Sequence, residues 1–80
     1  MSSFGQIPLK RIWEMLDRCA PGYAREERTH HWRITVGGKI YPSFPKGEHG
    51  KSNAGIEIGH VRKMARHLGI LDCANRVLEI

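Results

Sequence analysis

Leu9, Ile12, Trp13 and Leu16 follow the i, i+3, i+4, i+7 spacing that gathers side chains on one face of an α-helix. Lys10, Arg11, Glu14, Asp17 and Arg18 fall between them and would meet water. Pro8 suits the first turn, where its missing N–H costs nothing, and Pro21-Gly22 stops the element, so a helix is predicted over residues 8–19. The period then shortens. Trp32, Ile34 and Val36 alternate with His31, Arg33 and Thr35, the pattern of a half-buried strand. Gly37-Gly38 supplies a tight hairpin turn, Lys39 to Pro42 form the returning strand, and Tyr23 to Arg28 can pair as a first strand on the far side. Pro42 marks an end or an edge. The stretch FPKGEHGKSNAG, residues 44–55, reads as an exposed loop with nothing to give a core. Val61, Met64, Ala65 and Leu68 mark a second amphipathic helix, starting near Gly59 and stopped by Gly69. Asp72 is placed to cap one further turn through Leu78, an apolar tail free to pack on the sheet or on a partner.

This order predicts an α+β fold, α-β-β-β-α, with a three-stranded antiparallel sheet and two helices on one of its faces. Trp32, Ile34, Val36 and Ile40 are expected to line the covered face, leaving His31, Arg33 and Thr35 on the open one. The layout is that of double-stranded-RNA-binding-like folds. At 80 residues the chain makes one domain, with a core over about 7–70 and an extension over 71–80. That length excludes a barrel or a nucleotide-binding α/β enzyme.

No apolar run approaches the ~20 residues that span a bilayer, and the start of the chain lacks a signal-peptide pattern. Two cysteines, Cys19 and Cys73, are too few for a disulfide scaffold, so reduced thiols and a cytoplasmic location are expected. Thirteen Lys and Arg against eight Asp and Glu leave a net charge of +5. Phosphate backbones are frequent partners of small basic domains through counterion release, although such a charge also serves solubility alone.

His30-His31 is the sharpest chemical feature. Strand neighbours point to opposite faces, and parity places His31 on the open face with Arg33. An imidazole, with an unperturbed pKa near ~6.5, is a workable general base for an RNA 2′-hydroxyl. Arg33 would hold the scissile phosphate, and His30 would tuck toward the helices beside Trp32. On the second helix, Arg62 and Arg66 share one flank, and Lys63 and His67 another. With Lys46 and Lys51 these cations would form a phosphate-binding rim around His31, unless they are simply a solvated helix face. The loop 46–52 lacks the Gly-Lys spacing of a nucleotide-binding loop, which leaves a cradle for one RNA phosphate and His49 as a second proton carrier. No Cys or His pair has zinc-ligand spacing, so neither a metal nor another cofactor is expected.

The run Arg28-Thr29-His30-His31-Trp32-Arg33-Ile34, then Gly37-Gly38-Lys39-Ile40, a loop containing Pro and His, and Val61 to Ile70 together resemble the HicA toxins. The terminal stretch is similar to that family's Leu-Arg-x-Ile-Leu-x-x-x-Gly-Ile/Leu helix. HicA proteins are small bacterial toxins of double-stranded-RNA-binding-like fold that cut messenger RNA and are silenced by HicB antitoxins. The resemblance covers about residues 7–70 and implies an endoribonuclease with His31 catalytic, messenger RNA as substrate and a HicB-like protein as partner. Arg28 stands where the family has glycine, and residues 71–80 have no counterpart in it. The alternative is a non-catalytic nucleic-acid-binding module of the same fold, and a protein-interaction adaptor is a third reading.

Overall fold

A computed structural model describes residues 5–46 and 54–80. The elements run β1 (Gln6–Pro8), α1 (Leu9–Cys19), β2 (Ala24–Glu27), β3 (His31–Val36), β4 (Lys39–Pro45), β5 (Gly55–Glu57), α2 (Ile58–His67) and α3 (Leu71–Leu78). The chain is α+β, with an antiparallel sheet ordered β2-β3-β4, as the alternating pattern predicts. No helix among the described residues is long and apolar enough to cross a membrane.

The sequence pattern did not announce the second sheet. β1 and β5 pair antiparallel, with Ile7 opposite Ile56, and each strand runs directly into a helix. The two junctions share one geometry: Pro8 has φ −61 and ψ 142, and Glu57 has φ −61 and ψ 141. Neither helix has a side-chain cap. The backbone supplies partners instead, since Leu9 N–H donates to the Ala54 carbonyl and Ile58 N–H to that of Gly5, at 2.9 and 2.8 Å. The small sheet thus ties together the starts of α1 and α2.

The core lies between the helices and one face of the larger sheet. Leu9, Ile12, Met15 and Leu16 come from α1, Ile34 and Phe44 from the sheet, and Val61, Met64, Ala65 and Leu68 from α2 and its end. Residues 71–80 are no loose tail: Ala74 and Leu78 enter the same core, and α3 packs on both α1 and α2. Trp13 and Trp32 are half-buried and meet edge to face at 5.1 Å, with the Arg25 guanidinium 4.4 Å from the Trp13 ring centre.

Three sequence expectations about packing are corrected. Phe44, assigned to an exposed loop, has no exposed surface, and Ala54 is buried as well. β4 continues to Pro45 because Pro42 and Ser43 together stand opposite Arg33 in a bulge, which removes the donor-less Pro42 from the ladder. Ile40 is not on the covered face. The two-residue turn pairs Val36 with Lys39, hence Thr35 with Ile40, and puts Ile40 on the open face at 39% exposure. The third correction concerns Cys19 and Cys73, which form a disulfide with Cα atoms 5.7 Å apart. They are close because α1 ends where α3 begins to pack on it. The reduced-thiol expectation falls, and with it the cysteine argument for a cytoplasmic location.

Candidate nucleic-acid interface

β2 and β3 meet in a turn at Thr29-His30, closed by the Arg28 N–H donating to the His31 carbonyl at 2.8 Å. On its other side His31 pairs with Pro45 of β4. The His31 backbone is therefore held from both neighbouring strands while its side chain stays exposed. Strand parity is as expected: Ile34 is buried, Trp32 is half-buried, and His31 and Arg33 project from the opposite face.

His30 departs from expectation. It sits in the turn rather than the strand, so alternation does not govern it, and it is exposed instead of lying against Trp32. Two histidines adjacent in sequence are thus exposed at this end of the sheet.

The charges around them are largely engaged. Glu26, paired with Arg33 across the strands, places its carboxylate 3.8 Å from the Arg33 guanidinium and 3.1 Å from that of Arg28. Lys46 reaches across the start of β3 to Glu27 at 2.8 Å and donates to the Arg28 carbonyl at 3.0 Å. Only 17% of the Lys46 side chain is exposed, so this lysine braces the hairpin. Three cations thus face two carboxylates, and a phosphate arriving here has to take Arg33 from Glu26. Among the described residues, no group of three or more His, Cys, Asp or Glu side chains is arranged to hold a metal ion.

The expected rim around His31 does not assemble as a unit. Arg62, Lys63 and Arg66 are exposed on α2, whose buried side faces the core. Arg66 sits beside Gly69, Cys19 and Cys73, and the Gly69 end of α2 meets Lys39, at the opposite end of the sheet from His31. His67 packs on the Tyr41 ring and donates its Nε2–H to the Ile40 carbonyl at 2.8 Å, which closes part of the β4 edge. Lys51 and His49 lie outside the described residues. The cation that sequence reading missed is Arg76 on α3, next to Arg66. The helical spacing of residues 71–78 carries its signal, since it places Arg76 between the buried Ala74 and Leu78.

Tyr23 stands at the half-buried end of the turn that follows α1. Burial pushes its hydroxyl above the ordinary value, against the lowering influence of Arg25, which donates to its oxygen at 2.8 Å. Tyr23 belongs to the Trp13–Arg25 edge of the core and not to the histidine turn. Set against protein-family models, curated proteins and solved structures, the chain finds no match.

Proposed function

We propose that this chain is a small RNA-cleaving protein of the HicA kind, acting on messenger RNA through the β2–β3 turn. The observation that carries the reading is an exposed His31 on a backbone braced from both sides, with Arg33 on the same face two residues on. In such a site His31 accepts the 2′-hydroxyl proton as that oxygen attacks the neighbouring phosphorus. The bond to the 5′-oxygen breaks, and that oxygen leaves with a proton from a protonated imidazole, either His31 itself or His30. The products are a 2′,3′-cyclic phosphate and a 5′-hydroxyl end. Arg33 exchanges Glu26 for the phosphate and offsets the charge that develops on its oxygens. General acid–base help of this kind is worth ~10²–10⁴-fold, which makes a slow enzyme suited to damaging many transcripts once each. A HicB-like antitoxin covering the turn would silence it.

Expression in bacterial cells tests the reading. The wild type is expected to arrest growth and fragment transcripts, and His31→Ala to do neither. Equal growth and intact transcripts with both proteins refute it.

A second reading, a binding module without catalysis, is favoured by one observation: α2 carries Arg62, Lys63 and Arg66 and no acidic residue. It predicts RNA retention without cleavage, lost when those three cations are removed and unaffected by His31→Ala.

A further inference from the structure

Among the described residues, two clefts lined by helix residues differ in charge. The first is lined by Arg11, Glu14, Asp17, Arg18 and Val77, so two cations face two carboxylates. The second, about 480 Å³, lies at the corner where α1 ends, α2 stops and α3 begins. The Cys19–Cys73 disulfide and Gly69-Ile70-Leu71 form its walls, and Arg66 and Arg76 enter it against a single carboxylate, Asp72. Lys39 adds a third cation at the rim, with Nζ 2.9 Å from where a Cβ on Gly69 would stand. Arg28, Arg33 and Lys46 are committed to carboxylates, whereas Arg66, Arg76 and Lys39 take part in no ion pair among the described residues.

Cations brought together without matching acids repel one another, and an anion between them relieves that repulsion. A guanidinium presents a planar fork of N–H donors that fits two oxygens of a phosphate, and here two such forks share one cleft. The corner is also held in place. Arg76 is three residues after Cys73, and the disulfide fixes the first turn of α3 against the end of α1, which forms one wall of the cleft.

We propose that this corner binds a backbone phosphate of RNA, with Arg66 and Arg76 as the two arms of a clamp and Lys39 at its edge. The proposal rests on the RNA-binding reading and extends it to a contact remote from His31. Lys39 pairs with Val36, five residues along β3 from His31, which at ~3.3 Å per residue is ~17 Å. An RNA strand touching both ends follows the side of the molecule and not the sheet face alone.

The test is fluorescence anisotropy with a labelled single-stranded 2′-O-methyl RNA, whose blocked 2′-oxygen cannot attack and which therefore stays intact. Oxidised wild type, Arg76→Ala, Arg66→Ala/Arg76→Ala and, as a control from the balanced cleft, Arg18→Ala are titrated over a series of salt concentrations. Each arginine removed from the clamp is expected to flatten the slope of log K against log salt by about 0.7, the value for one phosphate contact on a single strand. Affinity at low salt should fall several-fold per arginine, with Arg18→Ala close to wild type. Wild-type binding with an unchanged slope in Arg76→Ala overturns the clamp and leaves the RNA reading standing. An Arg18→Ala loss as large as that of Arg76→Ala overturns it too, because the effect would then be net charge alone. Absence of wild-type binding overturns the RNA reading itself.

Discussion

Opening the Cys19–Cys73 bond is the perturbation whose size follows most directly from the structure. The bond joins residues 54 positions apart, so it removes a long loop's worth of freedom from the unfolded chain. In the chain-entropy account a loop of that length is worth about 4 kcal/mol, and native disulfides in small domains contribute roughly 2–5 kcal/mol. For a domain of this size each kcal/mol moves the melting temperature by about 4–8 °C, so losing about 4 kcal/mol on reduction should lower it by roughly 16–32 °C. The loss should begin in α3. That helix has eight residues, too few to be stable alone, and only Ala74 and Leu78 of it are fully in the core. Circular-dichroism melts of oxidised and reduced wild type, beside a Cys19→Ser/Cys73→Ser variant, measure the effect. The variant should melt with the reduced wild type and ignore reductant. Hydrogen exchange should show α3 amides losing protection before those of β3. Oxidised and reduced proteins melting within about 3 °C of each other would refute the reasoning, as would two freely alkylated thiols under oxidising conditions. The outcome also bears on location, since a cytoplasm keeps most such bonds reduced.

Phe44→Ala should cost about 3–5 kcal/mol in urea denaturation, the usual range for a fully buried aromatic, while Ile40→Thr on the open face should stay within about 0.5 kcal/mol. Glu26→Gln frees Arg28 and Arg33 and removes a negative charge from the histidine turn, so it should tighten binding of 2′-O-methyl RNA several-fold at low salt. The raised hydroxyl of Tyr23 gives a stability contribution fully present below the ordinary tyrosine pKa of 10.0 and lost as pH climbs from there through the folded value. Alkaline denaturation followed at several pH values should show that loss diminished in Tyr23→Phe, and an absorbance titration of the folded variant should lack the late-ionising component. Gly69→Ala should cost about 1 kcal/mol or more, because Gly69 has φ +77 and the new Cβ would meet the Lys39 ammonium.

The helices and the β3 strand were legible because their periods are clean: Leu9, Ile12 and Leu16 are buried as spaced, and Ile34 is fully covered between exposed or half-buried neighbours. Met15 was not picked out, although it lies on the same buried face. The β1–β5 pair was hidden because three-residue strands carry too little pattern to register, and their partners are far apart in sequence. Phe44 was lost inside a polar, Gly-rich stretch whose composition outweighed one aromatic, and the Pro42 bulge that carries β4 onward to it has no sequence period. The place of Ile40 is readable from the turn alone, since a two-residue turn fixes Ile40 opposite Thr35 and so on the open face. Parity likewise found His31 but misplaced His30, because alternation holds only inside a strand and His30 lies in the turn before it. The disulfide and the Arg66–Arg76 corner depend on how α3 packs on α1 and α2, and neither spacing nor composition encodes that packing.

The central claim is that the β2–β3 turn cuts RNA through His31. The direct measurement is mass spectrometry of the ends left when purified protein is incubated with unmodified RNA in EDTA. Fragments ending in 2′,3′-cyclic phosphate and 5′-hydroxyl, formed by the wild type and absent with an equally folded His31→Ala variant, are the predicted result. Intact RNA with the wild type, or the same fragments from His31→Ala, would contradict it.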